Sequence, residues 1–300
     1  MNSPWSCEQA FSRNAGLINP SEQKRLMDCL VAIPGCGGIG STVAETLVRL
    51  GVGKFRLCDP DTYDVANINR QLGATTLSLH QNKAEAVRDR ILTINPAAVV
   101  EIIREPVTRE NADRFVFGCD LVLDGIDFYA IDARRALFQA ALNAQLPAMT
   151  AAPLGFSATL QVYLPNKGMS FDEFFDFKTS DTYAEQILKF LVGLAPKGLQ
   201  RSYMDLSFAD GEQQTGPSSI LGTQLASALI GGEAVRLLLN RGGTLPAPWF
   251  RQFDAYKQQW VKSYLWGGNK HPMQRIKLLA GKQMMQKIGL WDQLVSAEPS

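Results

Sequence analysis

Histidine and paired cysteine are what this chain most conspicuously lacks. Its 300 residues hold only two histidines, His80 and His271, and neither lies in a site-like context. The five cysteines, Cys7, Cys29, Cys36, Cys58 and Cys119, are scattered, and no two are spaced C-x-x-C. That pattern argues against a disulfide framework and a structural zinc site. No cysteine follows residue 119. No apolar run approaches the ~20 residues needed to span a bilayer. The opening stretch "MNSPWSCEQAFSRN" carries no basic patch followed by an apolar segment. The expectation is a cytoplasmic protein with no membrane span.

An excess of charge of either sign is also missing. Lys and Arg number 30 against 29 Asp and Glu, and 46% of residues are hydrophobic, as in an ordinary globular protein. The charge is unevenly spread, however. No acid occurs between Asp254 and Asp292, while Lys257, Lys262, Lys270, Arg275, Lys277, Lys282 and Lys287 are all basic. A solvated surface explains this run, and an anionic partner is the alternative.

What is present begins with alternating elements. "LVAIP" at 30–34 reads as a buried strand running into a glycine loop. "STVAETLVRLG" follows as a helix, with Val43, Leu47 and Leu50 at helical spacing and Gly51 as its stop. "KFRLCD", "AVVEIIR" and "DLVLDGID" read as further strands, "NKAEAVRDRILTINP" and "AIDARRALFQAALNAQ" as helices, and "TRENADRFV" as a capped helix. The predicted fold is α/β: a Rossmann-like, doubly wound, mostly parallel sheet extended by antiparallel strands in the second half. There, "SATLQVYLP" and "FRQFDAY" read as strands, and "GPSSILGTQLASALIGGEAVRLLLN" as a helix with Pro217 in its first turn. The expected organisation is a helical arm over 1–30, a nucleotide-binding half over 31–155, a substrate-side half over 156–256 and a basic tail over 257–300. The substrate-side half includes a long crossover loop at 166–216, too long for a passive turn.

"GCGGIG" satisfies G-x-G-x-x-G through Gly35, Gly37 and Gly40. Such glycines permit a tight turn and let backbone N–H groups meet phosphate at a helix N-terminus. Asp59, at the end of the second strand, is where an acid accepts hydrogen bonds from a ribose. Hydride transfer would call for a nicotinamide slot and usually a proton donor such as histidine. Asn67, Arg70 and Lys83 instead equip the site for a triphosphate, because cations spread the negative charge that builds as a carboxylate attacks an α-phosphate. Asp127, at the carboxyl edge of the fourth strand, is placed to hold Mg2+. Taken singly, Arg70 also reads as a surface charge, Lys83 as a helix-face residue and Asp127 as a helix N-cap.

In order along the chain, "GCGGIGS", "GVGKFRLCDPD", "NINRQ", "NKAEAV", "INP" and "LVLDGIDFYAIDARR" resemble the ubiquitin-activating-enzyme-like superfamily that includes ThiF, MoeB and HesA proteins. The resemblance is clear over 12–155 and weaker over 217–256. It implies that Gly35, Gly37, Gly38 and Gly40 line ATP, and that Asp59 binds ribose with Asp61 in the same nucleotide set. It further implies that Asn67, Arg70, Gln71 and Lys83 surround the phosphates and that Asp127 coordinates Mg2+. "FSRN" resembles an N-terminal segment whose arginine reaches the γ-phosphate of a partner subunit, so Arg13 implies a homodimer. The implied reaction is adenylation of a carboxylate, often the C-terminus of a ubiquitin-like protein.

The chain departs from that family in two places. It has neither C-x-x-C pair, so no zinc is expected, and it has no cysteine in the crossover loop for a thioester relay. Cys36 and Cys58 read as small buried packing residues. Three readings follow. The first is an adenylyltransferase acting on a sulfur-carrier-like protein or peptide without an internal thioester. The second resembles the tRNA threonylcarbamoyladenosine dehydratase. The third is a non-catalytic or NAD-binding Rossmann module.

Overall fold

The computed structural model describes residues 5–297; residues 1–4 of the expected arm and 298–300 of the expected tail lie outside them. Two short helices open the described chain, α1 (Cys7–Ala10) and α2 (Pro20–Asp28). α2 begins just after its N-cap Asn19 because Asn19 and Glu22 form a reciprocal capping box and Pro20 supplies a preset φ at the first helical position.

The alternating half then runs β1 (Leu30–Pro34), α3 (Gly38–Leu50), β2 (Lys54–Cys58), α4 (Lys83–Ile94), β3 (Val99–Ile102), α5 (Ala112–Val116), β4 (Leu121–Asp124), α6 (Ile131–Asn143) and β5 (Ala148–Thr150). Its strands pair in parallel in the order β3-β2-β1-β4-β5. The remaining elements are β6 (Pro153–Leu154), β7 (Ser157–Tyr163), α7 (Phe171–Phe175), α8 (Tyr183–Leu194), α9 (Ile220–Leu238), β8 (Trp249–Asp254), β9 (Gln259–Tyr264), α10 (Pro272–Lys287) and α11 (Leu290–Ser296). Here β7, β8 and β9 extend the sheet antiparallel beyond β5, and the short β6 pairs with β7. The described residues thus form a nine-strand mixed sheet of the doubly wound kind.

Both faces of the sheet are covered, which is why its central strands are apolar without alternation. Val31 and Ile33 of β1 join a core with α3, α4 and α9, whereas Ala32 points into a second core with α5, α6, α8 and α11. Glycines Gly222 and Gly231 of α9 let that helix lie close to its neighbours: a Cβ on Gly222 would stand 2.9 Å from the Gly155 carbonyl.

Some local readings are corrected. α3 starts at Gly38, inside the glycine motif, rather than at Ser41. α9 starts at Ile220, so Pro217 lies outside it; Ser219 is extended and its hydroxyl accepts from the Gly222 N–H, which makes it the N-cap. The helix within "TRENADRFV" has no side-chain cap, because Asn111 Oδ1 is engaged by the Thr108 N–H instead. The segment 166–216 carries α7, α8 and three-ten turns, with Phe171, Phe174 and Phe175 fully in the core. The described part of the tail, 257–297, supplies the edge strand β9 and helices α10 and α11, whose Met285, Leu290, Trp291 and Leu294 are buried.

Candidate active site

The glycine loop leaves β1 where Pro34 pairs with Cys58 of β2. Gly35 adopts φ +89, and a Cβ there would stand 2.0 Å from the Gly125 carbonyl; a Cβ on Gly40 would stand 1.7 Å from the Gly35 carbonyl. The turn therefore requires glycine at both positions, pressing the loop against the end of β4 while α3 begins beneath it. Gly35, Gly37 and Gly38 face a cavity of about 630 Å³ at the carboxyl edge of the parallel strands. Gly40 serves the packing under it.

Asp59, just past β2, is 7% exposed. Its Oδ2 accepts from the Cys36 N–H at 2.7 Å and its Oδ1 from the Asp61 N–H at 2.9 Å. Burial pushes its pKa upward, and this outweighs the two backbone hydrogen bonds and the Lys83 charge, which act the other way. Each oxygen keeps a further lone pair for a hydroxyl donor.

Lys83 is the first residue of α4, an unfavourable place for a cation in the helix dipole. It is held there by Asp61, whose Oδ2 lies 3.0 Å from Nζ. Asn82 caps the helix and also donates to the Asp59 and Asp61 carbonyls, tying α4 to the acidic turn. Arg70 is half-buried, its guanidinium resting on the Ala66 carbonyl and Asn69 Oδ1, and its own carbonyl accepts from the Thr223 hydroxyl of α9. Asp127 is exposed in the cavity wall; its Oδ1 accepts from the Tyr129 N–H. Arg70, Gln71, Lys83, Asp59, Asp61 and Asp127 thus all line one cavity.

Besides Gly40, two expected residues are not in that wall. Asn67 spends its side chain in a capping box with Asp64. Arg13 is exposed in a three-ten turn of the N-terminal segment.

The cavity fits a nucleotide on its own features. Gln71 is 7% exposed and its Oε1 has no hydrogen-bond partner among the described residues, an orphaned buried acceptor facing the cavity. Asp127 leaves Oδ2 without a hydrogen bond there, and a carboxylate with phosphate oxygens is a usual Mg2+ environment. No group of three or more His, Cys, Asp or Glu suited to a metal occurs among the described residues.

Thiols are poor nucleophiles here. Cys36 is fully buried and its pKa stands well above the usual value, while burial pushes Cys58 up to about 12 and Cys29 and Cys119 up to about 11.

The support beneath Asp127 was not read from the sequence. Arg134 and Asp124 are buried and paired, Asp124 also accepts from the Thr150 hydroxyl, and the Arg134 guanidinium donates to the carbonyls of Ile126, Asp127 and Phe128. The signal was there: Arg134 shares the inward face of α6 with Ile131, Leu137 and Phe138, where a cation survives only if paired.

A sequence model described as the ThiF family matches residues 11–274. Over 118 residues the chain is 39% identical to a tRNA threonylcarbamoyladenosine dehydratase of Bacillus subtilis (strain 168), covering 39% of this chain and 46% of that one. Over 143 residues it is 32% identical to the sulfur carrier protein ThiS adenylyltransferase of Escherichia coli (strain K12), covering 48% and 56% respectively. The chain thus spans about half the length of these curated relatives. Among solved structures, the microcin C7 biosynthetic enzyme MccB in complex with N-formylated MccA superposes with a TM-score of 0.66 at 19% identity, covering 85% of this chain and 72% of the other. At that identity the likeness is one of fold. No helix among the described residues is long and apolar enough to cross a membrane.

Proposed function

The chain belongs to the ThiF family, and from that premise we propose that it is an ATP-dependent adenylyltransferase that activates a carboxylate as acyl-AMP. The observation that carries the reading is the convergence of Arg70, Lys83 and Asp127 on a cavity walled by the glycine loop. In the proposed step a carboxylate oxygen of the substrate bonds to the α-phosphorus of ATP. The bond from that phosphorus to its bridging oxygen breaks, and pyrophosphate departs. Arg70 and Lys83 offset the negative charge gathering on the phosphates, and Asp59 accepts from the ribose hydroxyls. Asp127 would hold Mg2+, which supplies charge neutralisation on the departing pyrophosphate when bound.

The acyl group is proposed to come from the C-terminus of a small ubiquitin-like or sulfur-carrier protein, or from a peptide. With its four most buried thiols raised out of reach of ionisation at neutral pH, the chain passes the acyl-adenylate to an outside nucleophile without an internal thioester. The working unit is proposed to be a homodimer in which Arg13 serves the partner's triphosphate.

A second reading, activation of a carboxylate carried on tRNA, is favoured by the names of similar proteins. The two are separated by ATP–pyrophosphate exchange. Exchange that needs a polypeptide carboxyl terminus supports the first, and exchange or ATP hydrolysis stimulated by tRNA supports the second. Tight NAD binding with no ATP turnover under any acceptor would sink both.

A further inference from the structure

The nucleotide cavity does not end at Asp127. It continues beneath the chain that joins β7 to α9, where α8 presents Ile187, Leu191 and Leu194 and the next segment presents Met204, Leu206 and Ala209. Leu290 and Leu294 of α11 close the far side. Every charged residue in the cavity lining lies between Asp59 and Arg134; from Thr150 onward the lining carries no charge. This roof is tied to the loop that carries Asp127. The Tyr129 hydroxyl donates to the Thr215 carbonyl at 3.0 Å, and the Tyr183 hydroxyl donates to the Tyr129 carbonyl at 3.0 Å.

We propose that this apolar end receives the last side chain of a peptide carboxyl terminus, so that the residue adenylated is apolar rather than glycine. The inference rests on the adenylation reading and names its substrate class. A glycine terminus would leave the apolar wall unfilled, and a charged side chain would lose its water there without gaining a partner. RNA phosphates would find no free cation on this side of the cavity, because Arg134, which lies over the Phe190 ring of α8, is already taken up by Asp124 and three loop carbonyls. Gln213, Gln214 and Ser218 line the same cavity, and their uncharged amides and hydroxyl suit the N–H and carbonyl groups of a peptide backbone.

Stable acyl-adenylate mimics test this without requiring turnover. Dissociation constants would be measured by calorimetry for adenosine sulfamoylated with N-acetyl-leucyl, N-acetyl-glycyl, N-acetyl-aspartyl and 4-methylpentanoyl groups. The leucyl mimic should bind about tenfold tighter than the glycyl one, the value of partly burying one such side chain. In Met204→Glu, a half-buried roof position, that preference should vanish; the wild-type series stands alone should the variant misfold. Glycyl or aspartyl binding within about twofold of leucyl would overturn the apolar assignment. A 4-methylpentanoyl mimic as tight as the leucyl one would overturn the peptide assignment. A protein that binds ATP but none of the mimics would sink the adenylation reading, and this inference with it.

Discussion

Arg134 Nε lies 2.7 Å from Asp124 Oδ2, and the two residues are 3% and 4% exposed. The pair sits beneath the loop that displays Asp127, and the same guanidinium takes up three of that loop's carbonyls. Arg134→Ala leaves a buried carboxylate with only the Thr150 hydroxyl and the Ile126 N–H for company. It should cost about 3–5 kcal/mol of stability in urea unfolding. A wild-type midpoint would mean that the buried pair does not hold the fold together.

Arg70 and Asp127 stand at the cavity wall, one half-buried and the other exposed. Arg70→Ala and Asp127→Ala should each lower ATP–pyrophosphate exchange by roughly 10²–10³-fold, the usual loss on removing one group that stabilises transition-state charge. Thermal unfolding should be nearly unchanged, since neither side chain is in the core. Wild-type exchange in either variant contradicts the phosphate-site assignment.

The proposed trans role of Arg13 is read by mixing. Arg13→Ala and Asp127→Ala proteins should each be inactive alone and should together recover about a quarter of wild-type exchange by random assortment into dimers. No recovery on mixing, with subunit exchange confirmed, removes the arginine from the partner's site.

Asp59 sets a pH dependence with a definite sign. Its carboxyl is raised by burial, so the folded chain holds that proton more tightly than the unfolded one. Its contribution to stability is therefore greatest in acid and declines as pH rises through the raised value. Ribose binding needs the ionised form, so ATP affinity should fall as pH drops, with a midpoint above the usual aspartate value. Asp59→Asn should flatten that profile. Calorimetric titration with the fold monitored by circular dichroism decides it, and an unchanged profile in the variant would assign the titration elsewhere.

Burial also orders the thiols. Iodoacetamide at neutral pH should label Cys7 in the native protein and spare Cys29, Cys36, Cys58 and Cys119, with exchange activity retained. Peptide mapping by mass spectrometry checks it; modification of Cys36 or Cys58 without unfolding would mean that the nucleotide loop opens.

The parallel half and the glycine loop were legible in the chain, because both rest on local rules. A glycine turn needs residues without a Cβ wherever they fall, and strands buried on two faces are apolar throughout; Gly35, Gly40 and "LVAIP" therefore declare themselves. The sequence also put Arg70, Lys83 and Asp127 in one reading, and the fold brings all three to one cavity. The remainder depends on contacts far apart in the chain. The Asp124–Arg134–Thr150 cluster joins β4, α6 and β5, and the edge strand β9 with α10 and α11 completes the second core. Neither leaves a periodic trace as strong as a glycine loop, because each residue in them answers to a partner on another element rather than to its own neighbours. The apolar end of the cavity is the extreme case. It exists only where α8, the 204–209 segment and α11 meet, and no single one of those stretches encloses a space.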